Sequence, residues 1–272
     1  MTRGESQPAM ARFGGTRGRL APGRCRRFLR LVGLLCWCGI ATGWAAAPDV
    51  STPFGRGLQE YRVGGYSLAA ETFGELTRKV PSTGSFYNLG LAQWEDGETG
   101  EAILAWERAL WLAPRYTDAR NNLAYARKYA QLGAPELRWY EVCSTWLPPG
   151  AWGWLAAVSF WTAICLVLLP GIFRWPRNDW LQAGAAASLA VFLLSTPALL
   201  GVNTRAKLGV VRVPEAALLL TPTRDGQSLL KLAAGEVCRQ IGQRGDYVRI
   251  RTGSDLEGWL RREEFARISQ NQ

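Results

Sequence analysis

The residues best suited to hold another molecule are amides flanked by rings and a leucine on one repeating pattern: Tyr87, Asn88, Leu91 and Trp94, with Asn122 one repeat later. An Asn amide donates and accepts at once, which suits capture of an extended peptide backbone whatever its sequence. Flanking rings add apolar contact at small entropic cost. The competing role for Asn88 is local, holding neighbouring helices through hydrogen bonds. Trp94 and Trp106 suit packing, Trp106 in the core. No Lys or Arg stands at the matching groove positions, so the set does not read as a clamp for a terminal carboxylate. A second candidate surface pairs Tyr247 with Trp259 as an aromatic ledge for a peptide or glycan. Its alternative is structural, with Trp259 packed against its own domain.

Catalytic chemistry finds little purchase. The chain contains no histidine, which excludes Ser-His-Asp triads, Cys-His pairs and His-ligated zinc or haem. Its cysteines stand at 25, 36, 38, 143, 165 and 238, without a CxxC and without the density of a disulfide framework. The acidic pairs Glu95-Asp96 and Glu263-Glu264 fall at expected helix ends and turns, where charges are solvated. The chain therefore reads as a non-enzyme, with no catalytic, cofactor or metal residues expected. An envelope hydrolase is the disfavoured alternative.

The elements that would position the first set lie between residues 48 and 135. From Tyr87 to Ala126 the apolar residues recur with a 3.6-residue period, broken by Gly97 and Pro114 into helix, turn, helix, turn, helix. The spacing Phe86-x2-Leu89-Gly90, then Ala102-x3-Trp106, Ala109 and Pro114, is that of a tetratricopeptide repeat. At an offset of 33 the chain matches itself: Gly57 with Gly90, Tyr61 with Trp94, Gly64 with Gly97, Ala69 with Ala102, Phe73 with Trp106 and Pro81 with Pro114. Small residues on one helix thus face large ones on the next. Two repeats cover 53–114, and a third helix, Asp118–Leu132, caps the open end. Two repeats and a cap are close to the minimum for a stable stack, which predicts support from a neighbour.

The net charge of +10 does not signal a nucleic-acid binder. Residues 1–47 hold eight Arg and one Glu, +7 of that total, and leave +3 for the rest. Arg-rich to Arg30, apolar from Leu31 to Ile40 and small from Ala41 to Ala47, this segment has the layout of a secretory signal peptide. Cleavage is expected after Ala45 or Ala47, with an uncleaved anchor helix as the alternative. Further on, no charged residue occurs from Val142 to Phe173 or from Trp180 to Thr204. Each run exceeds the roughly 20 residues a membrane helix needs. Spans are expected at 151–171 and 181–201, joined by a short cytoplasmic loop at 172–180 whose two Arg follow the positive-inside rule. Trp146, Trp152, Trp154, Trp175 and Trp180 sit near the span ends, where indoles prefer the interface. With no ionisable residue inside, the spans read as anchors rather than a transport path. Parity then puts the parts before and after them in one compartment.

Residues 205–272 change character. Short β-rich runs at Val210–Val213, Ala217–Leu220, Leu229–Leu232, Val237–Ile241, Tyr247–Arg251 and Gly258–Leu260 alternate with turn signals. In Tyr247–Arg251, Val248 and Ile250 share one face and Tyr247, Arg249 and Arg251 the other. The expected architecture is multi-domain: an all-α repeat stack, two membrane helices and a small all-β barrel.

Two resemblances add to this reading. Gly235 before a strand, Gly245-Asp246-Tyr247, and Gly258-Trp259 resemble the landmarks of a bacterial SH3-like domain. The order of parts, with YNLG at 87–90, EAILAWERAL at 101–110 and ARNNLAYAR at 119–127, resembles the E-type Bat proteins of the Bacteroides aerotolerance operon. That resemblance implies a periplasm-facing scaffold in the bacterial inner membrane. It also implies partners among membrane proteins with von Willebrand A domains and a MoxR-type ATPase system. Gln93 and Thr99 depart from the common repeat, where an aromatic is usual. The leading expectation is a membrane-anchored protein-binding adaptor. The alternative is an envelope sensor or tether whose SH3-like domain binds peptidoglycan.

Overall fold

The computed structural model describes residues 52–173, 179–224 and 226–269. The expected signal peptide at 1–47, most of the expected loop at 172–180, and Trp175 lie outside them.

Five helices come first: α1 (Pro53–Arg62), α2 (Tyr66–Lys79), α3 (Thr83–Glu95), α4 (Thr99–Leu112) and α5 (Thr117–Tyr129). Thr52 Oγ1 accepts the Gly55 N–H at 3.0 Å and Pro53 occupies the first turn of α1, while Ser82 Oγ accepts the Ser85 N–H at 3.1 Å at the start of α3. Such caps satisfy donors that a helix start leaves free. The expected small-to-large matching is present in both hairpins. A Cβ on Gly57 would lie 2.9 Å from the Phe73 ring, and one on Gly90 would lie 2.5 Å from Trp106 Nε1. Glycine is what lets the paired helices approach this closely. Trp106 is buried and also donates Nε1–H to the Tyr87 carbonyl at 3.3 Å.

The chain then forms a short helix, α6 (Trp139–Ser144), and two long ones, α7 (Pro149–Ile172) and α8 (Asp179–Arg205). Both long helices are long and apolar enough to cross a membrane, with mean hydropathy of 2.2 and 1.9 over their most apolar windows, and only 17% and 22% of those windows is buried. Phe160 packs on Phe192 at 5.2 Å, and Leu166 lies beside Gly184, so the pair is antiparallel. Trp152, in the first turn of α7, is buried and donates Nε1–H to the Ser144 carbonyl at 3.2 Å. That contact holds the indole inward.

Seven strands follow: β1 (Leu208–Val211), β2 (Ala216–Leu219), β3 (Ser228–Leu232), β4 (Val237–Arg244), β5 (Tyr247–Arg251), β6 (Glu257–Arg261) and β7 (Phe265–Arg267). They form one antiparallel sheet in the order β3-β2-β6-β5-β4-β1-β7, with β4 bulged between Gln240 and Gly242. Val248, Ile250, Leu260, Val211, Leu218 and Phe265 fill its inner side. β7 follows a 3-10 turn at Arg262–Glu264 and returns onto β1, an element the sequence reading did not include.

The helices and the sheet are not separate bodies. Leu208, Val210 and Ile268 belong to the same apolar cluster as Phe86, Ile103, Trp106 and Leu123. Around this seam Glu101 pairs with Arg212, and Arg108 Nη2 donates to the Arg267 carbonyl at 3.0 Å. The helical stack gains its support here, from β1. The second junction is centred on Glu141 of α6, which is fully buried. Its carboxylate accepts from Arg239 Nη1 at 2.8 Å, Arg239 Nη2 at 3.1 Å and the Arg138 N–H at 2.9 Å. Burial alone would raise its pKa, but these donors hold it below the usual carboxylate value. Arg239 also donates to the Thr204 carbonyl at 3.0 Å, and Arg205 to Ser144 Oγ at 3.1 Å. Gly201 of α8 lies directly under Tyr140 and Ser144, leaving no room for a side chain. The chain enters α7 and leaves α8 at the same end of the pair. The helical stack and the sheet therefore share one side of any membrane these helices cross.

Candidate functional site

The repeat pattern places one stripe on α3 and one on α5. On α3, Tyr87, Leu91 and Trp94 follow i, i+4, i+7; on α5, Asn122, Tyr125 and Tyr129 follow i, i+3, i+7. The two stripes meet. Asn122 Nδ2 donates to Tyr87 Oη at 3.4 Å, and the Trp94 ring stands edge-on to Tyr125 at 5.8 Å and to Tyr129 at 5.5 Å. Tyr87 packs edge-on against Tyr116 at 5.2 Å, while Tyr61 and Tyr66 form a further edge-on pair at 5.3 Å. Such T-shaped pairs are a preferred ring geometry.

Tyr125 and Tyr129 are 61% and 71% exposed. Large rings so open to solvent, backed by a half-buried Trp, form an apolar face with hydroxyl edges. Tyr61 and Tyr116 are half-buried, and burial first, then neighbouring carboxylates, raises both phenols above their usual pKa. The rings therefore stay neutral donors at physiological pH. This face can lay aromatic area along an extended chain while its hydroxyls and the Asn122 amide meet backbone groups.

Of the residues singled out in the sequence, Tyr87, Trp94 and Asn122 come together at the α3–α5 seam, and Leu91 is half-buried against the core of the helical stack. Asn88 Nδ2 instead donates to the Gly84 carbonyl one turn back in its own helix, at 2.8 Å. Tyr116, Tyr125 and Tyr129 were not singled out, although the stripe Asn122, Tyr125, Tyr129 carries the same helical spacing as its partner.

Tyr247 and Trp259 lie on the outer face of β5 and β6, in the register Tyr247↔Arg261 and Arg249↔Trp259, and both are half-buried. Arg249 Nη2 and Arg251 Nε bond Glu257 at 2.6 and 3.0 Å on the same face. An open cleft of about 1030 Å³ borders Tyr247 but not Trp259; Thr223, Arg224, Asp246, Arg261 and Arg262 also line it. Another, of about 820 Å³, runs between residues 130–138 and the strand ends near Glu236 and Thr252. Burial raises the pKa of Glu236.

Among the described residues no three His, Cys, Asp or Glu side chains are grouped to hold a metal. The Cys238 thiol is buried, and desolvation followed by Glu236 pushes its pKa up to about 12, so it is inert as a nucleophile. No protein-family model, no curated protein and no solved structure matches the chain.

Proposed function

We propose that the protein is a membrane-anchored adaptor whose α3–α5 aromatic face holds an extended segment of a protein partner. In this reading the helical part is a tetratricopeptide stack, the sheet is an SH3-like barrel, and both face the periplasm of a bacterial inner membrane. The observation that carries it is the exposed Tyr125–Tyr129 pair packed edge-on against Trp94. Aromatic residues of this kind are enriched where proteins bind partners. The resemblance to E-type Bat proteins supplies candidates: membrane proteins with von Willebrand A domains, acting with a MoxR-type ATPase system.

The test is photocrosslinking in native membranes from a benzoyl-phenylalanine at Tyr125, with one at exposed Glu71 as a control. Specific capture of one protein set from position 125, abolished by Trp94→Ala in an otherwise folded chain, would support the reading. Equal capture from both positions would refute it.

A second reading has its own observation. Arg224, Arg261 and Arg262 beside Tyr247 offer guanidinium groups and a ring to a carboxylate-bearing wall peptide. Retention of the full chain on isolated peptidoglycan, lost on changing Tyr247 and Arg262, would move this tether role ahead of the adaptor.

A further inference from the structure

We infer that α6 is an interfacial helix, with Trp139, Val142 and Trp146 seated in the boundary between headgroups and acyl chains of a lipid bilayer. The inference rests on α7 and α8 crossing that bilayer. It adds a third contact, from outside the spans.

The argument starts from an inversion. A short helix on a water-soluble surface turns apolar residues inward and charges outward. In α6 the order is reversed. Its inward residues are Glu141 and Ser144, both fully buried, and its outward ones are Trp139, Val142 and Trp146, exposed by 68%, 44% and 60%. Positions 139, 142 and 146 share one helical face, and the Trp146 N–H still bonds the Cys143 carbonyl at 3.2 Å, so the turn extends to Trp146. The inward polar groups are fully matched: Glu141 by Arg239 and the Arg138 N–H, and Ser144 by Arg205 and the Glu141 carbonyl. This wiring fixes which face turns out. An apolar outer face over a satisfied polar inner one is what a medium without water requires.

Lipid is the occupant because the face continues into the surface of the spans. Three residues after Trp146 the chain enters α7, whose Trp154, Val158 and Trp161 are 75%, 57% and 62% exposed. On the other side α6 crosses the last turns of α8 at Gly201, which sets it at the end of the apolar hairpin and not along its middle. Indoles favour that depth. Arg138 and Lys207, both exposed at the rim of the same junction, are placed to meet headgroup phosphates. Through the Glu141–Arg239 pair, a helix held at this depth also fixes the tilt of the sheet above the membrane.

The test uses the full chain in phosphatidylcholine–phosphatidylglycerol vesicles. Cys143, Cys165 and the leader cysteines are replaced by Ser, and inert Cys238 is kept. Nitroxide labels are placed singly by Trp139→Cys, Val142→Cys, Leu168→Cys in mid-span and Glu71→Cys on the helical stack. Collision with oxygen reports lipid and collision with a nickel chelate reports water. Labels at 139 and 142 are expected to show a several-fold higher oxygen-to-nickel ratio than the label at 71, and a lower one than at 168. Nickel access at 139 and 142 equal to that at 71, with 168 still lipidic, would overturn the inference and leave the spans intact. Protection from both reagents would overturn it too, by showing a protein cover. Water access at 168 would remove the spans and the inference with them. The Val142→Cys chain keeps the test valid if loss of Trp139 disturbs folding.

Discussion

Changing Glu141 to Ala tests the buried junction most directly, because the structure specifies what is lost. The carboxylate is fully buried and accepts two hydrogen bonds from one guanidinium and one from a backbone N–H. Its removal leaves Arg239 charged and largely enclosed. Breaking such a pair from one side costs about 3–5 kcal/mol. Arg239 retains 27% of its side-chain exposure and its bond to the Thr204 carbonyl, which places the expected loss near the low end, about 3 kcal/mol. The neighbouring Cys238 thiol offers a readout, being buried and unreactive until the sheet opens. Maleimide labelling of Cys238 in detergent-solubilised chain, with other cysteines replaced, should accelerate on the order of 100-fold. Replacing both partners by apolar residues, Glu141→Leu with Arg239→Met, should recover most of the protection, because no unpaired charge remains. An acceleration below about fivefold for Glu141→Ala, roughly 1 kcal/mol, would refute the reasoning. So would a double variant no better protected than the single one.

Further outcomes follow from individual contacts. Because Glu141 has a depressed pKa in the fold, its contribution is fully present above the ordinary carboxylate value of about 4.3 and is lost as pH falls through the folded value. Glu141→Gln should therefore flatten the decline of the thermal midpoint on acidification, followed by circular dichroism. Gly90→Ala gains about 1 kcal/mol of helix propensity. It loses more to overpacking against Trp106, for a net loss of about 1–2 kcal/mol in chemical denaturation; a neutral result would show that the helices separate freely. Gln93 Oε1 is buried without a hydrogen-bond partner, so Gln93→Leu should stabilise the chain by about 1 kcal/mol in the same experiment.

Much of the fold was legible because local signals and packing agree. The offset of 33 predicts small residues on one helix facing large ones on the next, and Gly57 and Gly90 do lie against Phe73 and Trp106. Uncharged runs marked α7 and α8, and alternation in Tyr247–Arg251 marked the buried face of β5. What stayed hidden was set by distant partners. Nothing local announces that Arg239 will neutralise Glu141 across about a hundred residues, or that Leu208 will close the core of the helical stack. β7 is three residues long and defined only by pairing with β1. Tyr125 and Tyr129 carry the right spacing, yet a Tyr on a helix reads equally as core or surface until its exposure is known. The Asn88 amide went to its own helix, the competition that short polar side chains always offer.

The apolar cluster that Leu208, Val210 and Ile268 share with Ile103 and Trp106 bears on how such a chain can be cut and recombined. Boundaries drawn by sequence character would treat residues 48–135 and 205–272 as exchangeable cassettes, each graftable onto another anchor. Severed at those points, each piece would present the other's half of a dry seam to water. Fragments would then stick to one another, or to unrelated proteins, and report binding that the intact chain does not possess. Transplantation has to carry both pieces and α6 together, so the unit that evolution or an engineer can move contains the helical stack, α6 and the sheet.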